Sequence, residues 1–475
     1  MAAGSTLACG SWALYTWTRP ALLRKGWGVI GGMNYLNGRI TVALLLATIL
    51  PLLDSSLVNV LLPSISADFG ASEASAQLGI STYMLAATAG IVLSTTLLRR
   101  FGSRRIWIAS VVVFVVASTA VGCSTSLAFF VIARIVQGAA CGFIMPAVQK
   151  IAVELVGKDG MRAVLATIGL PAVIAPAFGP LFGGVLVETI GWRPMFIVNI
   201  PLGLTALLLA NSELPKSYGS RVPIGIKQAS TALAGMVGLL WSISSIGSMA
   251  VGWLSMVFVL AVSFISLFCY MDLKASTPLL DVAVFKSFRF AIAMMLCFLV
   301  GLVFYGTLLS TSLHIQTDLG KPAWCAGCVL AVQGVGAWAV RSLIKGPWKA
   351  VNPFQVIAAG LILSAIGTVG IQLVTQWSAV QLVVLFLSAL IRGRGIGGCT
   401  LMALSAAYEV VTADDAGVVG AHTRLMLQLG GALGAAAVGV WSGSAIGLGV
   451  LTAVMAFAGA LASLILVINQ RQSKV

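Results

Sequence analysis

The chain has 475 residues, of which 59% are hydrophobic and only 9% are charged, and its mean hydropathy is +1.04. A soluble globular protein carries about 25% charged residues, so this composition excludes a soluble domain with a single membrane anchor. The net charge of +15 could indicate a nucleic-acid-binding protein, but the basic residues are spread over short breaks between apolar segments. The composition therefore predicts an integral membrane protein without a nucleic-acid partner.

The N-terminal segment, residues 1–38, precedes the first apolar run and is expected in the cytoplasm. Its basic residues lie in the middle, after Trp12 and Tyr15, whereas a signal peptide places them first. Met33 lies just before a short polar segment that leads into the first apolar run. We therefore expect that translation starts at Met33 and that residues 1–32 are dispensable. The alternative is an interfacial segment that its aromatic side chains hold at the membrane.

Apolar windows long enough to cross a membrane recur along the rest of the chain. A span needs about 20 mostly apolar residues, and roughly fourteen such windows occur. Helices are expected because only helices or closed barrels satisfy backbone polar groups in lipid. The predicted spans are 40–62, 77–98, 105–123, 127–149, 163–187, 194–211, 229–248, 250–271, 290–312, 324–343, 354–374, 379–403, 418–440 and 445–469.

Basic residues concentrate on one side of this arrangement, in the breaks that follow the even-numbered spans two to ten. Arg193 and Lys321 lie on the other side, together with Asp68 and Glu73. Because cytoplasmic loops carry an excess of lysine and arginine, both termini are predicted in the cytoplasm. The basic residues are Arg99, Arg100, Arg104, Arg105, Lys150, Lys158, Arg162, Lys216, Arg221, Lys227, Lys274, Lys286, Arg289, Arg341, Lys345 and Lys349.

Two polar breaks divide the spans into groups of six, two and six. We expect a six-helix bundle over 39–212, linkers with two inserted helices over 213–274, and a second bundle with a short tail over 275–475. Such paired bundles hold the substrate between them in many secondary transporters. The chain has no phosphate-binding loop of the form GxxxxGK[ST], which argues against ATP as the energy source. We expect no cofactor, no metal site and no enzymatic activity.

Span one contains a carboxylate, Asp54, about 12 Å from its outer end at a rise of about 1.5 Å per residue. Charges inside apolar spans are costly and usually serve a function. A buried carboxylate can take up and release a proton as its surroundings change, which predicts a role in proton coupling. The alternative is a structural carboxylate that bonds a neighbouring helix. Asn59 in the same span either takes part in transport or only bonds across helices.

Span four contains Arg134, about 10 Å from the outer surface and so at a depth similar to that of Asp54. Gln137 and Gly138 follow at positions i+3 and i+4, on the same helix face. An arginine at a helix centre costs about 2.5–3.5 kcal/mol on insertion scales, so its presence calls for a reason. The alternative to proton coupling is a structural ion pair between two helices.

Span five is rich in proline and glycine, which predicts a kinked helix pressed against a neighbour. Ordinary close packing is the alternative to a gate at this place. Later in the chain, Arg392 and Arg394 lie inside span twelve and could favour anionic or zwitterionic solutes. The candidate gate residues of span five are Pro176, Gly179, Pro180, Gly183 and Gly184.

Several short motifs follow one another in chain order over about residues 40–470. They are Leu53-Asp54 through Pro63, Arg134 with Gln137 and Gly138, Gly179-Pro180 with Gly183-Gly184, Trp192-Arg193 with Phe196 through Gly203, Pro278 through Asp281 with Phe285, and Gly430 through Gly434. Together they resemble the fourteen-helix drug:proton antiporter branch of the major facilitator superfamily. The resemblance implies an all-α integral membrane protein with the major facilitator fold, that is, two six-helix bundles plus two extra central helices. It also implies that Arg134 takes part in proton coupling and that span five shapes the outer gate.

The intracellular loop after span two departs from that branch, which carries a glycine and an aspartate ahead of its basic stretch. Here Thr95 and Arg99 occupy those two positions, whereas Gly102, Arg104 and Arg105 keep the pattern. The departure leaves open how the intracellular ends of the helices are latched. Glu154 or Asp159 could compensate by meeting Arg99.

The sequence thus predicts a proton-coupled secondary active transporter that exports small amphipathic compounds or drugs across the cytoplasmic (inner) membrane. Its expected partners are a small-molecule substrate, protons and membrane lipids. The sequence does not decide whether an adaptor protein also binds. The alternatives are an exporter or symporter of one metabolite, and a transport-inactive scaffold or sensor.

The expected start at Met33 can be checked by mass spectrometry of the native protein after tryptic digestion. The N-terminal peptide should begin at Met33 or Asn34 and end at Arg39. A peptide that runs from Gly26 through Met33 to Arg39 would show that translation begins upstream.

Overall fold

The computed structural model describes the chain over the ranges given at the end of this paragraph. Within them the chain is almost entirely helical and contains no β-strand. The ranges are 38–71, 73–169, 171, 175, 186, 190–214, 217–220, 223, 225–246, 249–345, 347–348, 351–409 and 416–440.

Thirteen α-helices are described, with a 3₁₀ helix (Val282–Lys286) before α9 and a π-helical turn (His314–Asp318) after it. They are α1 Gly38–Asp68, α2 Glu73–Phe101, α3 Ser103–Gly122, α4 Leu127–Ile168, α5 Arg193–Ile197, α6 Asn199–Glu213, α7 Ile226–Ser244, α8 Val251–Lys274, α9 Phe288–Leu313, α10 Ala323–Lys345, α11 Pro353–Gln372, α12 Ala379–Glu409 and α13 Ala416–Val440.

The predicted membrane spans largely coincide with these helices. In the described part of the chain, ten helical stretches are long and apolar enough to cross a membrane. The all-helical membrane fold is therefore confirmed. Most of predicted span five and all of predicted span fourteen lie outside the described residues, as do residues 1–37.

Helix α4 contains a break that the sequence places between spans four and five. Gly157 has a φ of 66° and a ψ of −173°, which is not helical, and a Cβ there would meet nothing within 4 Å. Glycine adopts positive φ at no steric cost, so the chain can bend sharply at this residue. The segment before Gly157 is predicted span four, and the segment after it begins predicted span five.

Helices α1 to α4 and α6 pack together and are called the first bundle. Its tightest contact joins α2 to α4, where a Cβ on Gly138 would lie 2.2 Å from Tyr83 O and one on Gly142 would lie 2.2 Å from Ala87 O. Small residues permit such close backbone approach in membrane helices. Helices α9 to α13 pack together in the same way and are called the second bundle. Helix α7 pairs with α8 and contacts α2 and α13, one helix from each bundle.

Among the described residues, the two bundles share an apolar core toward one end, called the basic end because α2 finishes there with Arg99 and Arg100. The largest buried cluster combines both bundles, for example Ile144 of α4 and Leu401 of α12. At the opposite end the clusters are separate, one around Trp192 in the first bundle and another in the second. The bundles are thus closed against each other at the basic end.

The glycine contact between α2 and α4 predicts a loss of stability on substitution. Gly138→Ala should lower the free energy of unfolding by about 1–3 kcal/mol, because the methyl group would overlap the Tyr83 backbone. Thermal unfolding of the purified protein in detergent measures this loss. Gly252→Ala in α8 is the matched control, since a Cβ there meets nothing within 4 Å. Equal melting temperatures for the two variants would contradict the packing.

Candidate functional site

Three polar side chains of the first bundle form a closed ring inside the helices. Asp54 of α1 is 2% exposed and Arg134 of α4 is 1% exposed, and Gln137 is fully buried. Arg134 Nη1 donates to Asp54 Oδ2 and, over 2.7 Å, to Gln137 Oε1. Gln137 Nε2 donates to Asp54 Oδ1 over 2.8 Å. The structure thus brings together Asp54 and Arg134, which the sequence placed at a similar depth, with Gln137 from the same face of α4.

Helix α2 completes the surroundings of the Arg134 guanidinium. Arg134 Nε donates to Gly79 O over 3.2 Å, and the Tyr83 ring centroid lies 4.1 Å from the guanidinium carbon. The Phe196 ring lies farther away, at 5.8 Å. A cation over an aromatic face is stabilised, more so where water is excluded. The sequence analysis missed Tyr83, because a single tyrosine in an apolar span carries no signal of its own.

Asp54 is the group of this ring that can change its charge. Two buried charges are better tolerated when they pair and make further hydrogen bonds, as Arg134 does with Gln137 and Gly79. A proton on the Asp54 carboxylate would turn an acceptor into a donor and leave the Arg134 charge without its counter-ion. The structure shows the closed form of the ring, and loss of the Asp54 charge would open it.

Several predicted site residues cannot be placed in this geometry. Asn59 lies in α1, but its side chain is outside the described residues. The candidate gate of span five is outside them as a whole: Pro176, Gly179, Pro180, Gly183 and Gly184. Their roles stay predictions.

Hydrogen bonds at Ser103 and Arg104 hold the start of α3 in the intracellular loop. Gly102 has a φ of 86°, and a Cβ there would lie 2.5 Å from Ser217 O, so glycine fits this turn best. Ser103 Oγ donates to Glu154 Oε2 over 2.6 Å, and Lys150 pairs with Glu154 at 3.7 Å. Glu154 thus contacts Ser103 and Lys150. The loop pattern includes two more residues, Arg104 and Arg105. The backbone N–H of Arg104 donates to Ser217 Oγ over 3.4 Å, and Arg105 is exposed.

The second bundle contains a buried arginine at a comparable place, Arg392 of α12. It is 0% exposed, and its Nε donates to Gln333 Oε1 over 2.9 Å. Its Nη1 donates to Thr311 Oγ1 and, over 3.4 Å, to Thr307 O. All these acceptors are neutral, and no acidic side chain pairs with Arg392 among the described residues. The described part of the second bundle therefore has a buried arginine without a carboxylate partner such as Asp54 in the first.

Arg341 was predicted in a loop after span ten, but the structure places it inside helix α10. Helix α10 continues to Lys345, and Arg341 is 3% exposed inside the bundle. Its Nη2 donates to Thr400 Oγ1 over 3.0 Å, whereas its Nε and Nη1 have no hydrogen-bond partner among the described residues. The sequence interpretation was wrong because a basic residue near the end of a span looks the same whether it faces water or another helix.

At the end opposite the basic end, Arg193 joins three segments of the first bundle. Its Nη2 lies 2.7 Å from Asp68 Oδ2 and donates to Ser124 O over 3.0 Å. Its guanidinium carbon is 4.6 Å from the Trp192 ring. Asp68 lies beyond the apolar part of α1. The hydrogen bond from Arg193 lowers the pKa of this carboxyl group below its usual value. This contact ties the end of α1 to the segment before α6.

A family model described as the Major Facilitator Superfamily matches residues 44–435. The chain belongs to this superfamily. It is 27% identical over 402 residues to a "Multidrug resistance protein B homolog" of Mycobacterium tuberculosis, covering 83% of this chain and 74% of that protein. It is 28% identical over 314 residues to "Multidrug export protein EmrB" of Haemophilus influenzae, covering 63% and 60%. It is 26% identical over 400 residues to "Tetracenomycin C resistance and export protein" of Streptomyces glaucescens, covering 83% and 74%.

Solved structures support the same fold. The human organic anion transporter MFSD10 (TETRAN) superposes with a TM-score of 0.64 at 14% identity, covering 90% of this chain and 98% of that chain. The proton:xylose symporter XylE superposes with a TM-score of 0.62 at 16% identity, covering 90% and 94%. At these identities the likeness shows the fold alone. The major facilitator fold that the sequence predicted is confirmed, and the chain is a multi-pass membrane transporter.

The ring predicts an asymmetry between breaking and replacing it. Asp54→Leu alone should lower the free energy of unfolding by about 3–5 kcal/mol, because it strands the Arg134 charge. The triple variant Asp54→Leu, Arg134→Met, Gln137→Leu should recover most of that loss, since no polar group of the ring remains. Thermal unfolding in detergent measures both. A triple variant less stable than Asp54→Leu would contradict the account of the buried charge.

Proposed function

We propose that this transporter exports small amphipathic compounds out of the cytoplasm in exchange for protons. The single observation that carries the proposal is the closed ring of Asp54, Arg134 and Gln137 inside the first bundle. A carboxylate whose counter-ion lies on another helix links its protonation to helix contacts. The printed names of the relatives, multidrug export and resistance proteins, support export of such compounds.

In the proposed cycle a proton from outside reaches Asp54 and removes its charge. Arg134 then loses its counter-ion, and the contacts among α1, α2 and α4 change. The two bundles rock against each other, so that the opposite side opens and the proton leaves toward the cytoplasm. Each elementary charge that moves with the membrane potential supplies about 2.3 kcal/mol per 100 mV.

The proposal includes an orientation in the cytoplasmic membrane. The basic end faces the cytoplasm, because Arg99, Arg100, Arg104 and Arg105 lie there. Both termini then lie in the cytoplasm. The division into a first bundle over 39–212, inserted helices within 213–274 and a second bundle over 275–475 is part of the same proposal.

Asp54→Asn tests the coupling directly. Asparagine keeps the size of the side chain and one acceptor oxygen but cannot carry the proton, so gradient-driven efflux should fall at least about tenfold. Efflux of a panel of amphipathic dyes and drugs is measured in proteoliposomes with an imposed pH gradient, with and without an uncoupler. Asp68→Asn, the same substitution at an exposed carboxylate of α1, is the matched control and should keep efflux. Full gradient-driven efflux by Asp54→Asn would refute the assignment.

A further inference from the structure

The segment between α8 and α9, residues 275–287, is shaped by one buried carboxylate. Asp272, near the end of α8, is 2% exposed. Its Oδ1 accepts from Leu279 N over 2.6 Å, and its Oδ2 accepts from Val282 N over 3.0 Å. Both carboxylate oxygens accept from backbone N–H groups of the segment. Asp272 therefore fixes the path of the segment between Leu279 and Val282.

The same segment is hydrogen-bonded to the basic end of α2. Thr95 is 1% exposed, and its Oγ1 donates to Leu279 O. Arg99 Nη1 lies 3.5 Å from Pro278 O, which adds a longer polar contact. These are the two positions where the chain departs from the loop pattern it resembles. A glycine at position 95 has no hydroxyl to donate, and an aspartate at position 99 would repel a carbonyl oxygen.

The segment also packs against the second bundle. Leu279 and Leu280 are buried in one cluster with Ile91 and Val92 of α2 and with Ala421 and Leu425 of α13. The ring of Phe285 lies 5.2 Å from the ring of His422, which is buried on α13. Helix α13 touches α2 directly as well, where Gln428 Nε2 donates to Thr88 Oγ1 over 2.8 Å. Residues 275–287 therefore contact both bundles at the end where these share a core.

We propose that Thr95 and Asp272 are positioning residues that latch the basic end of the two bundles shut through residues 275–287. The inference rests on the proposed function, because loading a substrate from the basic end requires the bundles to part there. Parting them pulls the segment away from α2 or from α13. On the α2 side the step breaks the buried Thr95–Leu279 hydrogen bond, and on the α13 side it separates the Leu279–Leu280 cluster. The strength of these contacts sets the fraction of molecules that are open at the basic end.

Distance measurements between spin labels test the latch without any substrate. Arg105 of α3 and Phe288 of α9 are exposed at the basic end on opposite bundles, so Arg105→Cys and Phe288→Cys provide label sites after the eight native cysteines are replaced. Thr95→Val should raise the fraction of molecules at the longer distance about fivefold, the effect of one lost hydrogen bond. Asp272→Asn should shift it in the same direction, because the amide cannot accept from both N–H groups.

Thr82→Val is the matched control for Thr95→Val. Thr82 lies on the same helix, and its hydroxyl donates to Leu78 O within α2. A Thr95→Val distribution that equals that of Thr82→Val overturns the latch, even if Asp272→Asn fails to fold. A shifted distribution supports the latch whether or not the protein drives efflux, so the latch and the exporter can fail separately.

Discussion

The buried ion pair between Asp54 and Arg134 is the interaction on which the arrangement of the first bundle depends. Removing two charges from water costs several kcal/mol per ion, and only good geometry with further hydrogen bonds offsets that cost. The offset requires α1, α2 and α4 to meet at one level. It also explains the tight α2–α4 contact, because Gly138 lets Tyr83 approach and Tyr83 places its ring against the guanidinium.

The two bundles share a fold but carry different charges. The first has a carboxylate paired with its arginine, whereas Arg392 in the second bonds only neutral acceptors among the described residues. A proton bound by Asp54 would therefore remove a charge from the first network, whereas the described part of the second network contains no carboxylate. Arg341 adds a second buried guanidinium there, and two of its nitrogen atoms find no hydrogen-bond acceptor in the described part of the chain.

The sequence was informative wherever a residue was out of place in its segment. Asp54 and Arg134 stand out because charges in apolar spans are rare, and Gln137 follows from helical spacing. The family motifs added the fold. By contrast, the sequence analysis did not single out Asp272, and it placed Arg341 in a loop. Whether such a residue faces water or another helix depends on how distant segments pack, which spacing along one helix does not encode.

Helix α2 connects the two sites because it contacts both. Near one end, Gly79 and Tyr83 contact the guanidinium of Arg134, and near the other, Thr95 binds Leu279 O. These places are about 24 Å apart at about 1.5 Å per residue, along one uninterrupted 29-residue helix. A continuous helix is stiff, so a tilt at one end moves the other end as well. In the proposed cycle, opening of the Asp54 ring would change the position of α2 at Gly79, and a tilt of the same helix would strain its contact at Thr95.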